Sequence, residues 1–244
     1  MNRLVEPELL DSLAADDPAA RRSRGDLLRI NTIMRQQAAM AALLKTVPQP
    51  RTLIDLGSGD GRFLLGVARR LPWKGVRLIV ADRQDIMSED TERGFASLGW
   101  RSHTMQGDIF KTLQAIPPAR MPKPPLPHRE EPIERRKTPV IVTANLFLHH
   151  FADADLKRLL LLAESRAGVF AACEPLRSDF ALRAAKLVGL IGANKVTRHD
   201  AVASVRAGFA DKELTALWPQ PGWSCTEEKR FLFTHCFLAK RVES

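Results

Sequence analysis

The feature that most constrains this chain is a glycine-rich turn directly after an apolar run, in the stretch LIDLGSGDGRFLL at residues 53–65. Residues 53–56 have the pattern of a buried strand, and a helix pattern begins at Arg62. Glycine allows the tight turn between them and lets the backbone approach a ligand closely. A helix that follows such a turn presents unpaired N–H groups at its N-terminus. The stretch therefore predicts a cofactor loop at the carboxyl edge of a parallel sheet.

Beyond this turn, apolar runs of strand length alternate with segments of helical pattern. The strand-like runs are RTLIDLG, VRLIVAD, SHTMQGDIF, PVIVTANLF and AGVFAACEP, followed by SCTEEKRFLF and HCFLAKR as a closing antiparallel pair. Strands that alternate with helices favour a parallel sheet with helices on both faces. The predicted fold class is therefore α/β.

An N-terminal region and an internal insertion lie outside this alternation. Residues 1–50 predict a helical cap, because apolar residues recur at helical spacing from Leu27 to Ala41. Ser23 and Asp26 resemble a capping box at the start of that helix. Residues 117–139 hold eight of the sixteen prolines, so they are expected to form an insertion rather than a central strand. The predicted organisation is a cap at 1–50 and a core at 51–244 that carries this insertion.

The composition argues against several classes of protein. The length of 244 residues suits one large domain, and the apolar runs are too short for a membrane span. Three cysteines without a CxxC spacing indicate reduced thiols and a cytoplasmic protein. The net charge of +9 is spread along the chain and there is no tyrosine, so a nucleic-acid partner is not expected.

The spacing of the glycines and of three acidic residues indicates which cofactor the turn serves. The pattern is D-x-G-x-G-x-G rather than the G-x-G-x-x-G of dinucleotide-binding folds, and no phosphate loop of the G-x-x-x-x-G-K-[ST] type occurs. Asp82 closes the second strand and can accept both ribose hydroxyls. Asp108 ends the third strand and can accept an adenine amino group. With Asp55 they form an anionic rim, which suits an adenosine with a cationic centre better than a pyrophosphate.

In these motifs the chain resembles the class I S-adenosylmethionine-dependent methyltransferases of the small-molecule type, which include enzymes of quinone and polyketide pathways. The resemblance follows the order DLGSGDG, Asp82, GDIF and TANLFLHHF, and it covers most of the chain. It implies a Rossmann-like, seven-stranded, mostly parallel sheet with a reversed final hairpin, and S-adenosylmethionine as the cofactor. The candidate cofactor-binding residues are Asp55, Gly57, Ser58, Gly59, Gly61, Asp82, Arg83, Asp108, Ile109, Asn145 and Leu146.

The resemblance also implies a part of the cofactor for each motif. The glycine loop would hold the methionine part, Asp82 the ribose, and Asp108 with Ile109 the adenine. Asn145 would lie beside the sulfonium. The N-terminal helix either covers the cofactor with Arg24 or Asn31, or it simply packs against the core.

The loop after the fourth predicted strand bears on the methyl acceptor. It reads NLFLHHF and lacks the [DNS]-P-P-[YFW] motif of relatives that methylate amines and bases. In plant-type and polyketide O-methyltransferases the equivalent stretch is L-x-H-D-W, whose histidine is the general base. His149 takes the place of that histidine and His150 that of the aspartate, so no neighbouring acid is evident to orient the imidazole. His149 and His150 are catalytic candidates, although both could simply cap or pack the loop. His199 in TRHD is a third candidate, or else part of a helix start.

These observations predict methyl transfer from S-adenosylmethionine to a small hydroxylated molecule, phenolic or polyketide-derived, with O-methylation favoured. A histidine with a pKa near ~6.5 can take the phenolic proton at neutral pH. Carbon methylation of a quinol or polyketide ring remains an alternative, as does RNA or protein methylation, which requires a basic face around the cofactor. A non-catalytic binding protein would have a blocked pocket. No metal is expected, and the protein is expected to be a monomer or homodimer.

Overall fold

Seven strands form one sheet at the centre of the protein. The computed structural model describes residues 1–118, 139–219 and 221–242. The strands are β1 (Thr52–Leu56), β2 (Arg77–Asp82), β3 (Arg101–Gln106), β4 (Val140–Asn145), β5 (Val169–Pro175), β6 (Trp223–Arg230) and β7 (Thr234–Arg241). Their order is β3-β2-β1-β4-β5-β7-β6. Strands β1 to β5 are parallel, whereas β7 is antiparallel to both β5 and β6. The predicted Rossmann-like sheet and its reversed final hairpin are confirmed.

Helices cover both faces of the sheet, as the alternation predicts. They are α1 (Leu9–Ser12), α2 (Pro18–Ile33), α3 (Gln36–Leu44), α4 (Arg62–Ala68), α5 (Glu89–Ser97), α6 (Ile109–Ala115), α7 (Asp153–Arg166), α8 (Asp179–Lys186), α9 (Lys195–Ala207) and α10 (Glu213–Leu217). Successive residues of a strand point to opposite faces. In β1, Leu53 therefore packs with α3 and α4, whereas Ile54 packs with α6 and α7. Because both faces are buried there, β1, β2, β4 and β5 are apolar without alternation, whereas β3 and β6 alternate between more and less exposed residues.

The N-terminal region is helical, but its main helix begins earlier than the sequence predicts. The carboxylate of Asp17 caps α2 by accepting the N–H of Ala19 at 2.7 Å. Ser23 and Asp26 therefore lie inside α2, and the capping box predicted there is wrong. Their side chains are buried because they contact α9: the Ser23 hydroxyl lies 2.8 Å from that of Thr197, which also donates to Asp26 at 3.1 Å. The early start was missed because the first turns of α2 lack the apolar periodicity on which the prediction rested.

Helix α3 packs directly on the sheet, with Met40 and Leu44 fully buried in the same core cluster as β1. The division of the chain at residue 50 stays a prediction. Of the proline-rich insertion, residues 119–138 lie outside the described part of the chain. Within the described ranges, no helix combines the length and the apolar character needed to cross a membrane.

Candidate active site

A cavity of about 480 Å³ opens at the carboxyl edge of the sheet, where β1, β2 and β4 end. Open parallel sheets bind ligands at this edge, and the volume falls in the range of small-molecule sites. Nearly all of the candidate residues line it: Asp55, Gly57, Ser58, Gly59, Asp82, Arg83, Asp108, Ile109, Asn145, Leu146, His149 and His150. Two candidates, Gly61 and His199, do not line this cavity.

The glycine loop brings backbone into the floor of the cavity. Gly57 has a left-handed φ of 65°, and its N–H donates to the carbonyl of Ala81 at 2.8 Å. A Cβ at this position would overlap the ring of Phe147, so no other residue fits without moving that ring. Gly61 has a φ of 73° and is the residue before α4, which makes it part of the turn rather than of the cavity wall.

Asp82 is held rigidly at the edge of the cavity by backbone donors. One carboxylate oxygen accepts the N–H of Gly59 at 2.8 Å, and the other accepts the N–H of Gln84 at 2.9 Å. Each carboxylate oxygen has a further lone pair for a ligand hydroxyl. Asp108 caps α6 by accepting the N–H of Lys111 at 3.1 Å, and it also lines the cavity. Asp108 can therefore cap α6 and face a ligand in the cavity at the same time.

Asp55 is the deepest of the three acids. It is buried and accepts a hydrogen bond of 2.6 Å from the Thr143 hydroxyl. Burial raises the pKa of Asp55 to about 6, with a further upward contribution from the nearby charge of Asp82. Asp55 therefore forms the base of the anionic end of the cavity, while Asp82 and Asp108 form its edge.

Two buried amide oxygens point to a polar ligand in this cavity. The Oδ1 atoms of Asn145 and Asn31 are buried and have no hydrogen-bond partner among the described residues, and both asparagines line the cavity. A buried polar atom without a partner costs free energy that a ligand donor can recover. S-adenosylmethionine offers amino and hydroxyl donors and a cationic sulfonium, so these oxygens and the three acids fit it.

His149 lies at the other end of the cavity, buried between two carboxylates. Its Nδ1 is 2.7 Å from Oε2 of Glu174, and its Nε2 is 3.2 Å from Oε1 of Glu8. Burial by itself would lower the pKa of His149, but the hydrogen bonds and charges of the two carboxylates raise it to about 9. Contrary to the sequence-based expectation, an acid does orient this imidazole. Glu174, at the end of β5, also accepts the N–H groups of Phe147 (3.0 Å) and Leu148 (2.9 Å).

His150 and the N-terminal segment complete this end of the cavity. The Nδ1 of His150 lies 3.0 Å from Oδ2 of Asp11, and its Nε2 lies 3.8 Å from Oε2 of Glu8. Burial would raise the pKa of Glu8, but His149, His150 and a hydrogen bond from the Ser204 hydroxyl lower it to about 2. Glu8 is therefore a partly buried carboxylate anion in contact with two histidines.

The structure does not bring His199 to this cavity. It lies within α9 with half of its side chain exposed, and its Nδ1 is 2.9 Å from Oδ1 of Asp200. The carboxylate of Asp200 instead accepts the N–H groups of Leu9 (2.8 Å) and Leu10 (3.0 Å). The TRHD stretch thus contributes to holding the N-terminal segment in place.

Sequence reasoning missed Glu8, Asp11, Ser204 and Glu174, which all surround the two histidines. A signal existed for Glu174, because it closes a predicted strand of the same parallel sheet, as Asp82 does. No comparable signal existed for Glu8, which is 141 residues from His149 and lies outside any recognised motif.

Comparison with known proteins identifies relatives of the fold. No family model and no curated protein matches the sequence. Among solved structures, the plantazolicin methyltransferase BpumL, in complex with SAH, matches 93% of this chain and 91% of its own at 13% identity and a TM-score of 0.57. The mitomycin 7-O-methyltransferase MmcR matches 96% of this chain and 60% of its own at 17% identity and a TM-score of 0.54. An O-methyltransferase family protein from Burkholderia thailandensis matches 95% of this chain and 64% of its own at 14% identity and a TM-score of 0.55.

These similarities show the fold. The chain has the architecture of structures described as methyltransferases, and it spans nearly the whole length of the plantazolicin enzyme but less than two thirds of the other two. The fold that the sequence resemblance implies is confirmed.

Proposed function

We propose that the protein transfers a methyl group from S-adenosylmethionine to a hydroxyl group of a small phenolic or polyketide-derived molecule. One observation carries this proposal: a single cavity joins an anionic, glycine-floored end to a buried histidine that is held by a carboxylate. The anionic end suits the cofactor, and the histidine end offers the groups that an acceptor hydroxyl needs. The structural relatives include a 7-O-methyltransferase and a methyltransferase in complex with SAH, which agrees with this assignment.

The cofactor would occupy the anionic end. Asp82 is placed to accept ribose hydroxyls, Asp108 and Ile109 to hold the adenine, and Asn145 to accept from the amino-acid part or lie beside the sulfonium. Arg83 and Leu146 are proposed to close the sides of this end. When bound, S-adenosylmethionine supplies an electrophilic methyl group.

The chain itself must align and deprotonate the acceptor. In the transfer, the acceptor oxygen forms a bond to the methyl carbon while the carbon–sulfur bond breaks, and the hydroxyl proton leaves. Alignment of the reacting atoms within the cavity supplies a large part of such a rate enhancement. His149 is the first candidate to receive the proton and His150 the second. With Glu8 on Nε2, His149 is already protonated at neutral pH, because its pKa is raised to about 9. It can act as a base only after Nε2 has released this proton to solvent and faces the acceptor instead of Glu8.

The charge of the cavity weighs against RNA methylation. Among the described lining residues, the acidic ones are Glu8, Asp11, Asp55, Asp60, Asp82 and Asp108, and the permanently basic ones are Arg24 and Arg83. Such a rim repels a phosphate backbone. Carbon methylation of a small molecule needs the same deprotonated phenol, so it remains the second candidate reaction.

The test is turnover with a panel of phenols. The full-length protein, incubated with methyl-labelled S-adenosylmethionine and simple mono- and dihydroxylated aromatic compounds, should give a labelled methyl ether in at least one case. NMR of the product distinguishes an O-methyl from a C-methyl group. Labelled product that is exclusively C-methylated would reject O-methylation, and label transferred only to RNA or protein would reject a small-molecule acceptor.

A further inference from the structure

The two histidines and Glu8 converge in a way that the proposed function does not require. One ligand atom from each of Glu8, His149 and His150 lies within 4.8 Å of the others. The two histidines come from the turn after β4, whereas Glu8 comes from the segment before α1. The three side chains meet at the acceptor end of the cavity, which all of them line.

Both imidazoles are oriented in the same manner. The Nδ1 of His149 faces Glu174 at 2.7 Å, and the Nδ1 of His150 faces Asp11 at 3.0 Å. Both Nε2 atoms are then directed at the carboxylate of Glu8, at 3.2 Å and 3.8 Å. A carboxylate on the far nitrogen of each histidine is the arrangement that orients metal-bound histidines and raises their basicity.

The charge of the cluster also favours a cation. Three carboxylates, those of Glu8, Asp11 and Glu174, contact two imidazoles. A divalent cation between the two Nε2 atoms and Glu8 would offset two of these three negative charges while both rings stay neutral.

We propose that Glu8, His149 and His150 form a binding site for a divalent transition-metal cation of the zinc type. Two imidazoles and one carboxylate form a ligand set that suits zinc, whereas magnesium prefers oxygen ligands alone. Three protein ligands leave a fourth position of a tetrahedral site open, which is the pattern of catalytic zinc. That position would face the cavity.

A metal at this site would also take part in the proposed methyl transfer. That catalytic role rests on the proposed function, whereas metal binding itself does not. A hydroxyl at the open position of such a cation loses its proton more readily. The inference runs against the sequence-based expectation of no metal.

The test uses metal binding, independently of turnover. Full-length protein is treated with a chelator, dialysed, and titrated with Co²⁺. We expect one saturable equivalent, a visible absorption band of a cobalt ion with nitrogen ligands, and loss of that band on addition of Zn²⁺.

His150→Ala and Glu8→Gln should abolish the band. Asp11→Asn, which changes only the group that orients His150, should weaken binding by about 10–100-fold. His103→Ala removes an exposed histidine of β3 and is the control, with the band unchanged.

SAH binding by calorimetry accompanies each titration and reports the folded state of each variant. Absence of the band in the wild-type protein, or an unchanged band in His150→Ala and Glu8→Gln, would overturn the metal site. If Co²⁺ binds as expected while SAH does not, the metal site stands and the proposed methyl transfer is contradicted.

Discussion

The two ends of the cavity are built in different ways. The cofactor end consists of strand ends and one tight turn, so its polar groups are fixed by the backbone: two N–H groups hold Asp82, and the fold of the loop requires Gly57. The acceptor end is held by side-chain charge. One of its carboxylates, that of Glu8, belongs to the N-terminal segment. Ionic and polar contacts anchor this segment at the cavity.

Those anchors are specific. Arg3 pairs with Asp153 at 2.7 Å, Asp200 accepts the N–H of Leu9 at 2.8 Å, and Arg83 donates to the carbonyl of Asp11 at 2.6 Å. The comparison indicates that the cofactor end should tolerate changes of pH that alter the acceptor end. Substitutions at one end should also leave the chemistry of the other end intact.

The largest expected effect is at the acceptor end. His149→Ala should lower kcat by about 10²–10⁴-fold with the acceptor found in the phenol panel, because it removes the group that handles the hydroxyl proton. SAH affinity should hold, as measured by calorimetry. Because the change removes the imidazole that contacts Glu8 and the buried Glu174, His149→Gln is measured beside it, with a thermal melt of each variant. His199→Ala is the control. A kcat close to wild type in His149→Ala, with a large loss in His199→Ala, would move the catalytic assignment to α9.

The second prediction concerns Gly57 and Gly59 in the same turn. Gly57→Ala should lower the free energy of unfolding by about 2–5 kcal/mol, since the strain of a left-handed φ of 65° adds to the overlap on Phe147. Gly59→Ala has a φ of 55° but open space around its Cβ, so only about 1–2 kcal/mol of backbone strain is expected. Urea denaturation measures both. Equal losses would mean that the Phe147 ring moves aside and that the loop is less rigid than proposed.

The third prediction is a pH dependence that arises at the acceptor end. The pKa of His149 is about 9 in the folded protein and ~6.5 in an unfolded chain. The folded state therefore binds this proton more tightly, and the resulting stability is complete below about pH 6.5 and declines as the pH rises through 9. We expect the free energy of unfolding to fall by about 1–3 kcal/mol across that window, measured in urea with a chelator present. His149→Gln should flatten the profile there. A wild-type profile that stays flat between these pH values would show that the imidazole is not held as a cation.

The smallest effect is expected for the proline-rich insertion. Replacing residues 119–136, in the part of the chain outside the described ranges, with a short Gly/Ser linker should change the melting temperature little, because closure entropy varies slowly with loop length. Loss of turnover with an unchanged melting temperature would instead assign the insertion to the acceptor site.

The contrast between the two ends also explains what the sequence could predict. The sheet and the cofactor end follow from local patterns, because strand periodicity, a glycine turn and an acid at each strand end lie within a few residues of one another. The acceptor end could not be predicted in this way. His149 was singled out by resemblance, but its partner Glu8 lies 141 residues away in a stretch with no motif.

Two other differences have local causes. The start of α2 was placed too late because Asp17 and the polar turn after it carry no apolar periodicity. His199 lies in the stretch between the fifth strand and the final hairpin, where acceptor-binding residues were expected. The side chain's direction depends on the face of the helix that carries it, and in α9 His199 is half exposed and directed outward.

The anionic end of the cavity is proposed to bind S-adenosylmethionine independently of the histidine end. Calorimetric titration of SAH into wild type, Asp82→Ala and His150→Ala tests it most directly. We predict that Asp82→Ala weakens binding by about 1–3 kcal/mol, because the ribose hydroxyls lose their acceptor. His150→Ala should bind SAH as the wild type does. Wild-type affinity in Asp82→Ala, or no SAH binding by the wild-type protein, would contradict the account.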